Sequence, residues 1–286
     1  MSMMTTETCW PPLEAGVVDE LLALWQAVFA LSFEELRGVL GGEEQPFNRD
    51  WLYVRRADGA LAGTAHLTVS VACPRLGGLG EVAVPPAFRG RGIASELCAL
   101  ARDAFAAAGG EALFLATSNP AAFRVYERLG WQPLANANVM TLLPAGGTPA
   151  AFLDAYFAQP SPVTVSEGTA GDRIAMIPLI VAPHDWRLLD VNTGLFSIRH
   201  VHQPSCMGLY PRYAHLRAGG LGTWFSAHDS RGRLVGLASA RLNGEQARVD
   251  GFTHPLYLDG WEGLLQAAMA WSAARGATVF TAAVAD

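Results

Sequence analysis

Apolar residues between 17 and 40 recur at helical spacing. Val18, Leu21, Leu22, Trp25, Val28 and Phe29 fall on one face, and Gly41-Gly42 ends the run. The period then shortens. Residues 51–71 form two strand-like runs around Ala57-Asp58-Gly59, where Asp-Gly is a strong hairpin turn. A third strand is predicted over 79–84. A helix follows over 93–108, its apolar positions being Ile93, Leu97, Leu100, Ala101, Ala104, Phe105 and Ala108, and Gly109-Gly110 close it. The unbroken apolar run 111–118 suits a strand inside a sheet. Asn119 as N-cap and Pro120 at the first helical position open another helix, which Gly130 ends, and 131–143 returns as a strand. Helix, hairpin, strand, helix, strand, helix, strand is an α/β (α+β) order.

The Pro- and Gly-containing stretch from Pro144 to Pro149 reads as a break. It places a first domain over 1–143, a linker over 144–170 and a second domain over 171–286. The second domain carries an internal echo of the first. Trp51, Gly59, Leu61, Gly63 and Ala65 reappear as Trp224, Gly232, Leu234, Gly236 and Ala238, each at an offset of 173 (224 − 51; 238 − 65). A helix-forming stretch over 261–276 and a strand over 277–284 extend the likeness. Two generic hairpins sharing turn glycines are the alternative reading.

Composition narrows the function. The net charge is −6 and the sequence pI about 5.6, which argues against a nucleic-acid partner. The runs 21–31 and 174–183 are too short to span a bilayer, and no signal peptide is evident. Cys9, Cys73, Cys98 and Cys206 are scattered and form no CxxC pair, so free thiols in a reducing cytoplasm are expected. His200, His202 and Cys206 lie close in sequence but lack a fourth ligand at metal spacing, and no metal is expected.

The chemistry concentrates in the stretch VAVPPAFRGRGIAS (82–95). A strand that runs through a glycine-rich turn into a helix start makes an anion site. The first amides of a helix lack internal partners, and the helix dipole adds to their pull. Gly90 and Gly92 let the backbone approach a phosphate, and Arg89 and Arg91 add positive charge. Neither a Walker loop nor a dinucleotide fingerprint is present. A surface turn is the plainer alternative.

Arg89-x-x-Gly92-x-Ala94, following EVAVPPAF, resembles the (Arg/Gln)-x-x-Gly-x-(Gly/Ala) motif of the GNAT acetyltransferase superfamily. TSNPAAFRVYERLGW (117–131) is similar to its second signature. The resemblance covers most of 15–143. It implies acetyl-CoA, or another acyl-CoA, as acyl donor, with its pyrophosphate on the amides of Gly90, Arg91, Gly92, Ile93, Ala94 and Ser95. It implies that the main chain of Val82, Ala83 and Val84 pairs with the pantetheine arm as an added strand, and that Asn119 flanks the cofactor. Tyr126 is the implied general acid for the leaving thiolate. Its phenol, with an ordinary pKa near ~10, keeps its proton at neutral pH; an ordinary core tyrosine is the alternative. Glu81 is the candidate base, with a solvated glutamate at a strand start as the alternative. Glu81 and Ala83 share one strand face, Val82 and Val84 the other.

By the same resemblance the chain is a tandem of two GNAT-like domains, each a mixed, largely antiparallel sheet flanked by helices. In the second, a register from Gly276 and Phe280 against Gly110 and Phe114 puts Pro255 where Arg89 was, Leu258 where Gly92 was and Gly260 where Ala94 was. The arginines and the central glycine are gone, so the second domain is expected to be degenerate, truncated and without acetyl-CoA. The expected activity is acetyl transfer to the amine of a small molecule, in a monomer or homodimer. S- or O-acyl transfer and non-catalytic acyl-CoA binding stay open.

Overall fold

The computed structural model describes residues 3–283; the end of the strand expected over 277–284 lies outside them. The chain divides into two compact units, 1–132 with 140–146, and 133–139 with 147–286.

The first unit opens with an edge strand, β1 (Met4–Cys9), absent from the sequence reading. Helix α1 (Ala15–Phe29) buries Val18, Leu21, Leu22 and Trp25. The helix expected to run on to residue 40 stops early. Ala30 turns left-handed (φ +57°), the Ser32 hydroxyl takes the Glu34 amide, and a 3-10 turn (Glu34–Leu36) leads into a short α2 (Arg37–Leu40). The hairpin β2 (Asn48–Ala57) and β3 (Ala60–Ser70) continues antiparallel into β4 (Leu76–Ala83). Strand β4 starts three residues before its expected position. Gly77 permits this, because a Cβ there would come within 2.8 Å of the Phe105 ring. A 3-10 turn (Pro86–Phe88) leads into α3 (Ile93–Ala107), then β5 (Ala112–Ala116) and α4 (Pro120–Arg128). The single strand expected over 131–143 is two, β6 (Gln132–Pro133) and β7 (Val139–Leu142), separated by a turn in which Asn136 has φ +60°. The sheet order is β1-β2-β3-β4-β5-β7-β6, with β4 and β5 parallel.

Alternation sorts the side chains of this sheet. Tyr53, Ala65, Leu67 and Leu79 join Ile93, Leu97, Cys98, Ala101 and Phe105 on the α3 side. Leu52, Val54 and Ala83 join Trp25 and Leu40 on the α1 side. Leu100 of α3, expected inward, is 44% exposed.

The stretch expected as a linker is folded. Thr148 caps α5 (Pro149–Phe157), accepting the Ala151 amide at 3.3 Å, with Pro149 in the first turn. The Gly-Gly-Thr-Pro sequence is thus a helix start rather than a break. Strand β8 (Val163–Glu167) then pairs along the second sheet. After it come α6 (Asp172–Val181), a small hairpin of β9 (Leu188–Asp190) and β10 (Leu195–Phe196), and α7 (Leu209–Ala218). Antiparallel β11 (Gly222–Asp229), β12 (Leu234–Asn243) and β13 (Gln246–Thr253) follow. A 3-10 turn (Pro255–Tyr257), α8 (Gly260–Ala273) and β14 (Val279–Thr281) complete the unit. The sheet order is β14-β13-β12-β11-β8, with β13 and β14 parallel.

Both units therefore run hairpin, strand, 3-10 turn, helix, parallel strand. Glycines 63 and 236 occupy the same place in the two copies. A Cβ on Gly63 would meet Ile93 Cγ2 at 2.6 Å, and one on Gly236 would meet Leu264 Cδ1 at 2.9 Å, so each lets the following helix lie close on its sheet. The tryptophans at the same offset are not equivalent. Trp51 pairs with Leu67 on the α3 side, whereas Trp224 pairs with Ser239 and packs against Tyr210 and Tyr213 of α7. A one-residue shift between β11 and β12 turns it to the other face.

Candidate active site

The site is built where β4 leaves its neighbour. Parallel pairing with β5 covers Leu76↔Ala112, Gly77↔Leu113 and Gly78↔Phe114 and ends there. Strand β4 runs on to Ala83 with that edge unpaired, which leaves main-chain groups of Val82 and Ala83 available to an added strand.

Opposite Ala65, β4 also bulges. His66 pairs with Gly80 and Thr64 with Ala83, so Glu81 and Val82 together face one residue. Glu81 takes the left-handed conformation (φ +46°). Its carbonyl accepts the Thr64 hydroxyl at 2.7 Å, and Thr64 in turn accepts Trp25 Nε1 at 2.9 Å. Glu81 and Ala83 face α1, while Val82 and Val84 pack on the α3 side.

Past Val84 the chain makes the 3-10 turn and reaches Arg89-Gly90-Arg91-Gly92. Both glycines are left-handed (φ +77° and +80°). No atom lies within 4 Å of a Cβ placed on Gly90, and a Cβ on Gly92 meets Glu96 Oε1 at 3.9 Å. The first bonded amide of α3 is that of Glu96, donating to the Gly92 carbonyl at 3.0 Å. The amides of Gly90, Arg91, Gly92, Ile93, Ala94 and Ser95 have no partner among the described residues. These are the orphan donors that bind anions at helix starts. Arg89 donates Nε to the Val84 carbonyl at 3.0 Å, and Arg91 donates Nη2 to the Ala87 carbonyl at 3.1 Å and lies over the Phe88 ring. Both brace the turn and keep further guanidinium donors. Glu96, the one acid in the first turn, is offset by Arg55 at 3.3 Å. The turn has the open space, donors and charge that a pyrophosphate requires.

Tyr126 sits on α4 with Cys98, Leu115 and Trp131 around it and is 6% exposed. Its hydroxyl has no hydrogen-bond partner among the described residues. Burial, with a smaller contribution from Cys98, holds the phenol above its usual range. Burial likewise pushes the Cys98 thiol up to about 12. Tyr126 belongs to the α3 side of the sheet and Glu81 to the α1 side. A continuous sheet would keep them apart; here the pairing of β4 with β5 ends at Gly78, before Glu81 is reached. Asn119 is exposed and its Oδ1 is committed to capping α4, accepting Ala121 at 2.9 Å and Ala122 at 3.4 Å. Its side-chain NH2 has no partner among the described residues.

The sequence reading missed two residues. His66 is 2% exposed and bridges two acids, Nδ1 to Glu81 Oε2 and Nε2 to Asp50 Oδ1, both at 2.9 Å. The polar residues Thr64, His66, Thr68 and Ser70 alternating through GTAHLTVSV, together with Asp50 in the partner strand, were the available signal. Glu81 is accordingly not a solvated strand-start residue: it lies near the end of β4, and its side chain is 11% exposed.

The second unit's turn differs. Pro255 stands at the place of Pro86, not of Arg89, because each opens its 3-10 turn. Four residues (89–92) separate the first turn from its helix, but only two (258–259) separate the second. Leu258 and Asp259 are right-handed (φ −58° and −60°), and Asp259 places a carboxylate at the N-cap of α8. His202 bonds Asn138, and among the described residues no group of His, Cys, Asp and Glu is placed to hold a metal ion. No helix of the described residues is long and apolar enough to cross a membrane.

No curated protein matches the sequence. Among solved structures, the ribosomal-protein-S18-alanine N-acetyltransferase from Escherichia coli is similar over 51% of this chain and 97% of its own, at 20% identity and a TM-score of 0.40. A tandem GNAT protein from the clavulanic acid biosynthesis pathway is similar over 99% of this chain and 90% of its own, at 15% identity and a TM-score of 0.39. A GNAT family acetyltransferase from Brucella melitensis in complex with acetyl-CoA covers 51% of this chain and 92% of its own, at 19% identity and a TM-score of 0.38. Residues 19–131 match the model of the acetyltransferase (GNAT) family. The first unit, which holds that segment, is thus similar to the GNAT acetyltransferase family.

Proposed function

We propose that the first unit binds acetyl-CoA and transfers its acetyl group to the amine of a small molecule. The observation that carries this reading is the run of six unpartnered amides, Gly90 to Ser95, beside the free edge of β4. The amides and the two arginines hold the pyrophosphate, and Val82–Val84 hold the pantetheine arm by main-chain bonds. Bound acetyl-CoA supplies the activated acetyl group at the parting of the strands.

Two side chains then handle protons. Glu81, on the α1 side, accepts a proton from the incoming ammonium so that the amine can attack. Main-chain amides near Val82–Val84 polarise the thioester carbonyl. Tyr126, held protonated by burial, offers its proton to the departing sulfur. One C–N bond forms as the C–S bond breaks. Of the two protons the ammonium gives up, the thiol retains the equivalent of one and the solvent receives the other.

The second unit lacks this cradle. Leucine and aspartate replace the left-handed glycines, and the Asp259 carboxylate at the helix start disfavours an anion. Its role is structural. A free-thiol assay across a panel of primary amines tests the reading. Amine-dependent CoA release that falls in Tyr126→Phe supports it, and acetyl-CoA binding without release for any amine would reduce the chain to a binding protein.

A further inference from the structure

On the α1 face of the first sheet, β2, β3 and β4 bring Asp50, His66, Thr68 and Glu81 into one buried polar row. Asp50 Oδ1 accepts His66 Nε2 at 2.9 Å and the Thr68 hydroxyl at 2.7 Å, and Glu81 Oε2 accepts His66 Nδ1 at 2.9 Å. We infer that His66, anchored by Asp50, is a positioning residue for acetyl transfer: it fixes the Glu81 carboxylate at the β4 bulge and turns it toward a cationic amine. This rests on the reading of Glu81 as the proton acceptor.

Hydrogen-bond chemistry carries the inference. A neutral imidazole donates from one nitrogen only, and an ionised carboxylate only accepts. With a carboxylate on each nitrogen, both bonds are satisfied when the ring is an imidazolium. Burial opposes that charge, but the bonds to Asp50 and Glu81 prevail and lift the ring to about 9. Asp50 from β2 and Glu81 from β4 are the charges that act on the ring; β3 adds the hydroxyl of Thr68, and α1 reaches the row through Trp25 and Thr64.

Two consequences follow for the site. Glu81 is held in a left-handed conformation that is strained for a residue with a Cβ. The Thr64 hydroxyl on its carbonyl and the imidazolium on its carboxylate fix that conformation from both ends. In addition, the ring occupies Glu81 Oε2, and Glu81 Oε1, which has no partner among the described residues, is left for an incoming donor. An ammonium group supplies both a charge and the hydrogen atoms that a carboxylate oxygen takes, whereas a neutral alcohol or thiol supplies no charge.

The test uses the full chain with ¹⁵N-labelled histidine. Nitrogen NMR is expected to show both His66 nitrogens protonated at pH 7.5, and Asp50→Asn is expected to bring the ring's titration down toward neutrality. A neutral ring at pH 7.5 in the wild type overturns the proposal without reference to turnover. Activity is then read as CoA thiol release with the fastest amine of a primary-amine panel. His66→Gln should leave acetyl-CoA affinity within about twofold, lower kcat/KM about tenfold or more and move the acid limb of the pH profile. If Glu81→Gln is slow while His66→Gln keeps the wild-type rate and profile, the positioning role fails and the proton-acceptor reading stands. If Glu81→Gln is fully active, the proton-acceptor reading fails, and the inference with it. Should His66→Gln not fold, the isosteric Asp50→Asn takes its place in the same assay.

Discussion

Gly92→Leu separates the cradle's geometry from its stability. Gly92 is the N-cap of α3 at φ +80°, ψ −4°. Any residue with a Cβ pays about 1–2 kcal/mol in this left-handed region. The nearest atom to a new Cβ is Glu96 Oε1 at 3.9 Å, so no collision adds to that cost. The variant should fold and melt a few degrees lower. Its side chain, however, stands beside the amides of Ile93, Ala94 and Ser95. Acetyl-CoA at a hundredfold its Kd adds about 2.7 kcal/mol to the wild type, roughly 5–10 °C in Tm. Gly92→Leu should lose that ligand-induced rise. Gly109→Leu is the control. Gly109 has the same φ of +80° and open space around it, but lies at the far end of α3, about 25 Å away along the helix axis. It should show a similar fall in Tm and keep the rise. Thermal melts of the three proteins with and without acetyl-CoA decide the matter. An undiminished rise in Gly92→Leu, or equal losses in both variants, would refute the cradle.

Tyr126→Phe removes a hydroxyl that has no partner among the described residues, so melts should change little, while kcat should fall on the order of 10²-fold with acetyl-CoA affinity retained. His66 is raised to about 9 in the fold, so its contribution is fully present below its unfolded pKa near ~6.5 and is lost as the pH rises through 9. Urea melts should show up to ~3 kcal/mol of stability lost over that window, and His66→Gln should flatten the slope. In the second unit, burial raises Asp190 to about 6; its Oδ1 accepts the Ser239 hydroxyl at 2.8 Å and the Asn192 amide at 2.9 Å. A carboxyl raised in the fold favours folding in acid, so stability should decline by on the order of 3 kcal/mol as the pH rises from about 4 to 6, and Asp190→Asn should remove most of that decline.

The parts of the fold written in local chemistry were legible. Asn119-Pro120 announced a helix start, and the structure shows the Asn119 cap bonds. The glycines after α3 marked its end, and the offset of 173 located Gly63 and Gly236, two sites of close helix approach. What escaped depended on partners distant in sequence. Edge strand β1 is held by β2, more than forty residues on, and β8 by β11. The Gly-Gly-Thr-Pro start of α5 looked like a break because capping residues and breakers are the same residue types. The second unit's turn was misaligned by three residues, two missing from the turn and one from the helix and its end, and a register counted back from Gly276 cannot see a gap on the far side of the helix. In the candidate site, the phosphate turn is contiguous in sequence and was visible. The row of Asp50, His66 and Glu81 is assembled across three strands, and only the pairing of those strands reveals it.

The central claim is that the first unit's turn accepts acetyl-CoA and the second unit's turn does not. Calorimetric titration of the full chain with acetyl-CoA tests it most directly. One molecule bound per chain, with that binding lost in Gly92→Leu, is the expected result. Two molecules per chain, or one that survives Gly92→Leu unchanged, would contradict it.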